Sequence, residues 1–130
     1  MGVRFPGGGQ NWSVNVTLNT TTEGVIVVTP PISPSLDSAA IFIFWWFALN
    51  SGASVTACTP RVRRGNGIVG ALVSQTNAIP CAAGALSLYS GCFVDFPGII
   101  AGLQYSLTGQ QVAATGNGTV QDGCIIAMCL

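Results

Sequence analysis

The sequence predicts an all-β protein, an antiparallel sandwich of two sheets built from about eight short strands. Three observations support this fold class. Apolar residues alternate with polar residues over short runs, and no segment shows helical spacing over a useful length. Turn-forming glycine, proline and asparagine separate those runs. Only 6% of the 130 residues are charged, against about 25% in an average soluble domain, so the surface is expected to be neutral or covered by other subunits.

The chain length fits a single domain. Residues 1–9 contain the run G-G-G and are predicted to form a flexible arm, which leaves residues 10–130 as one β-sandwich domain. The first strand is predicted at 11–19, where every second residue from Trp12 to Leu18 is apolar and the others are Asn, Ser or Thr. Side chains alternate between the two faces of a strand, so this strand has one apolar face.

The run A-A-I-F-I-F-W-W-F-A-L at 39–49 is apolar on both faces of the strand that it predicts. One face can enter the core between the sheets, and the other then needs a helix, a loop or a neighbouring subunit to cover it. No segment predicts a helix, so a subunit is the expected cover. The run is much shorter than the ~20 apolar residues that span a bilayer, and no membrane partner is predicted.

The segment T-P-R-V-R-R-G-N-G at 59–67 holds three of the four basic residues. On a strand, Arg61 and Arg63 lie on one face and Val62 on the other, and Asn66-Gly67 predicts a hairpin turn into residues 68–73. The pI of about 5.9 and the lack of a second basic cluster exclude the usual nucleic-acid-binding surface. The arginines are therefore expected to form a solvated strand face or ion pairs, and the available partners are Glu23, Asp37, Asp95 and Asp122.

Further strands are predicted at 85–96, which ends at Pro97-Gly98, at 103–112 and at 119–130. The chain has neither histidine nor lysine, so the commonest general base and the Schiff-base nucleophile are absent. Three of its four carboxylates, Asp37, Asp95 and Asp122, are explained as turn or loop residues. The sequence therefore predicts no catalytic site, no metal site and no cofactor.

The five cysteines form no C-x-x-C pair and have no histidine beside them, which argues against a zinc site. We expect reduced thiols that pack as small apolar residues. A disulfide between Cys81 and Cys92 is the alternative.

Two segments carry a resemblance to a known family: R-V-R-R-G-N-G-I-V-G-A-L-V at 61–73, and F-V-D-F-P-G-I-I-A-G-L-Q-Y-S-L-T with the terminal A-T-G-N-G-T-V-Q-D-G-C-I-I-A-M-C-L within 93–130. They resemble the jelly-roll domains of phage and other viral structural proteins, which are similar to the tumour-necrosis-factor and C1q fold. In those domains an arginine strand enters a glycine turn, an aspartate and Pro-Gly close a central strand, and an apolar strand ends the chain.

The resemblance implies a two-sheet jelly roll that trimerises around a threefold axis, with the last strand and aromatic residues near that axis. The double-sided apolar runs at 39–49 and 124–130 agree with this. The candidate oligomer interface comprises Ile41, Ile43, Trp45, Phe47, Ile125, Ala127 and Cys129. The candidates for ion pairing between subunits are Arg61, Arg63 and Asp95. Pro60 departs from the pattern because it removes a ladder donor from the arginine strand.

The expected function is that of a non-enzymatic virion structural protein. The preferred form is a homotrimeric decoration or cement protein that binds a viral major capsid protein and stabilises the shell, assembled in the host cytoplasm. One alternative is a receptor-binding or tail-tip domain that recognises a host glycan or protein through loops 32–38 and 77–84. A small capsid shell subunit is another.

Overall fold

A computed structural model of the chain describes residues 9–19, 22–34, 40–51, 57–80, 84–112 and 117–130. Throughout these ranges the regular structure is β-strand, and none of it is helix, so no helix there could cross a membrane. This confirms the all-β prediction, with ten strands where about eight were expected. They are β1 (Gly9–Ser13), β2 (Val16–Leu18), β3 (Gly24–Val28), β4 (Ile41–Asn50), β5 (Ala57–Arg64), β6 (Ala71–Gln75), β7 (Ile79–Pro80), β8 (Leu86–Asp95), β9 (Tyr105–Val112) and β10 (Gly118–Cys129).

The strands form two five-stranded antiparallel sheets. Sheet I has the order β1-β10-β4-β8, with β2 also paired to β10, and sheet II has the order β3-β9-β5-β6, with β7 also paired to β5. The chain crosses between the sheets repeatedly, so most neighbouring strands are distant in sequence. This confirms the predicted two-sheet sandwich.

Strand β4 occupies the middle of sheet I and shows why the sandwich forms. It pairs with β10 on one side and with β8 over all ten residues on the other. Its odd-numbered side chains, from Ile41 to Leu49, are buried against sheet II. Phe47 stacks between Trp45 and Tyr89, with ring centroids 6.0 and 5.0 Å away. One face of the run 39–49 therefore forms the core, as predicted.

A β-bulge in β10 decides which of its residues face the core. The register between β10 and β4 shifts between Val120 and Asp122, so one extra residue is inserted and the alternation changes parity there. Val120 is buried before the bulge, whereas Ile125 and Ala127 are buried after it. Residues 124, 126 and 128 consequently point to the outer side of sheet I.

The predicted first strand is divided in two. Between β1 and β2, Asn15 has a φ of 56°, in the left-handed region that asparagine tolerates. Leu18 of β2 is fully buried, but Trp12 of β1 is 53% exposed and lies on the outer side of the sheet. The prediction of one continuous strand with a single apolar face is therefore wrong. Gly9 begins β1 opposite Ala127, and the rest of the predicted arm, residues 1–8, lies outside the described residues.

The predicted hairpin connects β5 and β6, but its turn is longer than Asn66-Gly67. Arg64 pairs with Ala71, so residues 65–70 form the turn, and Gly65 and Gly67 supply the positive φ angles. Ser106 of β9 holds this turn on sheet II: its hydroxyl donates to the Gly65 carbonyl at 2.6 Å and accepts from the Gly67 amide at 2.8 Å. The turn therefore depends on a contact with a strand distant in sequence.

Pro60 lies inside β5 without breaking the sheet. Its carbonyl accepts from the Thr76 amide, so its nitrogen faces the same edge of β5, where residues 57–58 pair with β7 and residues 61–64 with β6. The missing N–H falls in the gap between two short partner strands, where no ladder bond is required.

Candidate functional site

The outer side of sheet II carries a polar cluster that is organised by Glu23, the residue before β3. Arg63 binds Glu23 through two parallel hydrogen bonds, Nε to Oε1 and Nη2 to Oε2, both 2.7 Å long. Arg61 Nη1 lies 3.8 Å from Glu23 Oε2. Val62 is buried on the opposite face, which confirms that the two arginines share the outer face of one strand.

This cluster covers a polar side chain of β9. Thr108 is fully buried and donates a short hydrogen bond to Glu23 Oε1. The hydrogen bond from Arg63, the largest effect, holds the pKa of the Glu23 carboxyl below its ordinary value although burial acts in the opposite direction. Glu23 raises the pKa of Arg63 in turn. The cluster is therefore a charged, hydrogen-bonded cap on sheet II.

We expect this cap to make folding sensitive to acid. Glu23 has a lower pKa in the folded chain than its ordinary 4.5, so its contribution is present above that value and is lost as the pH falls through the folded-state pKa. Glu23→Gln should lower the free energy of unfolding by about 1–2 kcal/mol at neutral pH. Urea unfolding between about pH 7 and pH 3 measures this, and the wild-type and variant curves should approach each other as the pH falls through the lowered folded-state pKa of Glu23. Parallel curves would contradict the assignment.

A second ion pair connects the two sheets at one end of the sandwich. Arg64, the last residue of β5, donates from Nη2 to Asp95 Oδ1 at 2.6 Å and from Nε to Oδ2 at 3.1 Å. Asp95 is the last residue of β8 in sheet I. The hydroxyl of Tyr105, which is fully buried, donates to Asp95 Oδ2 at 2.7 Å. We call Arg64, Asp95 and Tyr105 the intersheet clamp.

The electrostatics of the clamp favour a charged pair beside a neutral phenol. The hydrogen bond to Asp95 raises the pKa of Arg64. Burial, followed by the hydrogen bond to Asp95, raises the pKa of Tyr105 well above its ordinary range. Arg64 and Tyr105 are not among the residues predicted from the sequence, although Arg64 shares the parity of buried Val62 and so points inward on the strand.

The residues predicted for ion pairing between subunits have partners within the single chain. Arg61 and Arg63 lie against Glu23, and Asp95 binds Arg64, all within one chain. Side chains held in this way are already satisfied before any second subunit arrives. Asp37, another predicted partner, lies outside the described residues.

The residues predicted as an oligomer interface lie mostly in the core of the single chain. Ile41, Ile43, Trp45, Phe47, Ile125 and Ala127 are at most 3% exposed, and Cys129 is partly buried against the same cluster. Side chains that already face sheet II cannot also contact another subunit. The face of β4 and β10 that carries these residues is therefore the core side of the single chain.

The other face of these strands is apolar and open. One row across sheet I consists of Trp12 on β1, Cys124 on β10 and Trp46 on β4. The two indoles meet edge to face with ring centroids 5.7 Å apart. Phe44 lies beside Ile126 on β10 and Cys92 on β8 in the next row. We call this surface the aromatic face; it consists of Trp12, Phe42, Phe44, Trp46, Leu86, Leu88, Cys92, Val94, Ile126 and Met128.

The cysteines divide between buried and exposed positions. Cys124 is buried in the row of the two tryptophans, and desolvation raises the pKa of its thiol. Burial has the same effect on the thiol of Cys129. Cys92 carries a free, exposed thiol on the aromatic face, and its suggested partner Cys81 lies outside the described residues. Within the described ranges, no three His, Cys, Asp or Glu side chains are grouped as metal ligands would be.

No protein-family model matches the chain, and no curated protein matches it in sequence. Solved structures of viral capsid proteins share its fold. The structure of T=1 particles derived from infectious bursal disease virus matches with a TM-score of 0.63 and 6% identity, over 96% of this chain and 32% of the virus protein. The VP2 subviral particle of the same virus matches with a TM-score of 0.62 and 8% identity, over 96% and 34%.

This chain spans about a third of the length of those capsid proteins. At such identities the likeness concerns the fold alone. It is a likeness to viral shell proteins rather than specifically to the tumour-necrosis-factor and C1q fold. A structure of Bacillus endospore appendages, described as disulfide-linked pili, covers 100% of this chain and 97% of its own at 16% identity, but its TM-score of 0.42 is too low to bear on the fold.

Proposed function

We propose that this chain is a non-enzymatic structural protein of a virion. The observation that carries the proposal is the open aromatic face on a fold shared with viral capsid proteins. Apolar surface of this kind is a docking surface, since soluble monomers rarely expose large contiguous apolar patches. The ion pairs found in the structure contribute to folding, and the aromatic face is left for assembly.

The finer proposal is a decoration or cement role on the shell. In this role the chain binds other copies of itself and a viral major capsid protein, and stabilises the assembled particle by mass action. Threefold symmetry stays a prediction from the family resemblance. A subunit of the shell itself would use the same surfaces.

A receptor-binding or tail-tip role is the second candidate, and one observation favours it. The turn 65–70 and the loop 96–102 follow the two strand ends that meet in the intersheet clamp, so both loops lie at one end of the sandwich. They expose several bulky apolar side chains there: Ile68, Val69, Phe96, Ile99 and Ile100. The loops predicted for this role, 32–38 and 77–84, lie partly outside the described residues.

Copy number separates these roles. Quantitative mass spectrometry of purified particles that carry the chain should find on the order of hundreds of copies for decoration or shell subunits, because such interfaces repeat with the symmetry of the shell. A handful of copies per particle would indicate the tail tip. Particles stripped of the chain should lose their genome at a lower temperature and recover when the chain is added back. Absence from the particles would overturn the proposed function.

A further inference from the structure

The aromatic face lacks a cover in the part of the chain that the structure describes. Leu88 and Leu86 at the free edge are 72% and 60% exposed, and Val94 and Phe44 are 45% and 37% exposed. The outer side of sheet II is more polar because it carries the Glu23 cap, and its exposed apolar side chains on strands are Val25, Leu72 and Val112. Among the described strands, sheet I therefore has more exposed large apolar side chains on its outer side than sheet II.

The size of the aromatic face matches half of a specific interface. If a large apolar side chain offers about 150–250 Å², the exposed fractions of Trp12, Phe44, Leu86, Leu88 and Val94 alone give an apolar area on the order of 400–670 Å². The partly exposed Phe42, Trp46, Ile126 and Met128 add to this area. A standard protein interface buries about 800 Å² from each partner. The face is therefore large enough to hold a second subunit.

Its composition favours a second copy of this chain as the occupant. Asp122 is the only charged side chain that alternation places on the outer side of β1, β4, β8 or β10, and depletion of charge with enrichment in aromatic residues is typical of homodimer interfaces. With 6% charged residues, the chain needs a cover as soon as it folds. Another copy is the partner that is always present in equal amount.

Sheet packing sets the symmetry. Two sheet faces pack about 10 Å apart at a small angle, and two identical faces meeting about a twofold axis are both buried in one contact. In a threefold ring each face would have to meet a different surface of the next copy. We propose, resting on the assembly role above, that the aromatic face packs against the same face of a second copy, so that a twofold dimer is the building unit.

Leu88→Asp tests this pairing in the purified chain, without virions. Leu88 is largely exposed, so the change should leave folding intact. In a twofold dimer each copy would contribute one unpaired carboxylate to an interface that excludes water. We expect the wild type to be a dimer at micromolar concentration. The dimer dissociation constant of the variant should be at least about a hundredfold higher. Sedimentation and native mass spectrometry give the stoichiometry. Val69→Asp is the matched control, since Val69 is 93% exposed on the turn of sheet II, and it should remain a dimer.

Cys92 reports on the same contact independently. Its exposed thiol lies within the aromatic face, so iodoacetamide should alkylate it slowly in the dimer and rapidly in folded Leu88→Asp, with circular dichroism confirming the fold. If Leu88→Asp does not fold, Leu86→Asp on the same strand replaces it. A wild-type monomer, a trimer, or a dimer that survives both variants would overturn the inference. A dimer that is absent from virions would leave the pairing intact and overturn only the proposed function.

Discussion

Phe47→Ala should lower the free energy of unfolding by about 3–5 kcal/mol, the range for removing a buried aromatic ring. Phe47 is fully buried in the centre of β4 and stacks on the rings of Trp45 and Tyr89. Alanine leaves a cavity between two large rings, and the paired backbones of β10 and β8 prevent the strand from collapsing into it. Urea denaturation followed by tryptophan fluorescence measures the loss.

Phe44→Ala is the matched control, because it makes the same change on the same strand but on the aromatic face. Phe44 is exposed, so its removal should cost about 1 kcal/mol or less in folding. Both variants are best measured in the Leu88→Asp background, where self-association does not contribute. Equal losses for the two variants would show that the two faces of β4 are not inside and outside as described.

Asp95→Ala should have the second largest effect, with a loss of about 2–4 kcal/mol. The carboxylate accepts hydrogen bonds from Arg64 and from the buried Tyr105 hydroxyl. Its removal leaves a guanidinium and a phenol without their acceptor, and breaking a buried pair costs about 3–5 kcal/mol. We expect a somewhat smaller loss than that range because the Arg64 side chain is 30% exposed and solvent replaces part of the interaction.

The coupling across the clamp can be measured directly. A double-mutant cycle of Asp95→Ala with Arg64→Gln should give an interaction energy of at least about 1 kcal/mol. Asp122→Asn is the control: Asp122 forms no ion pair with any described residue, and its change should be nearly neutral. An additive cycle would contradict a clamp that joins the sheets.

Much of the fold follows from local pattern. Alternation located β4 and the outer arginine pair, and the glycines at 65 and 67 marked the hairpin. The errors lie where contacts distant in sequence intervene. The bulge at Val120 to Asp122 changes the parity of β10, Asn15 interrupts the first strand, and Ser106 supports a turn six residues long.

The choice between the two apolar faces of β4 illustrates the difference best. Both faces are rich in large apolar side chains, so their periodicity carries no preference for inside or outside. Packing between the strands decides which face points into the core. Trp45 pairs with Gly91 of β8, and a Cβ at Gly91 would lie 2.6 Å from the Trp45 ring. The face of β4 that carries its odd-numbered residues thus lies beside a glycine of β8, which leaves space for the indole of Trp45.

By itself, the sequence determined that this protein is a charge-poor, all-β chain with more apolar strand surface than one core can bury. Composition and alternation are local properties and are sufficient for that conclusion. The tertiary structure decided which surface remains open and which charges are already paired. Strand register, the β10 bulge and the pairing of Arg64 with Asp95 depend on segments that meet only when the two sheets pack together.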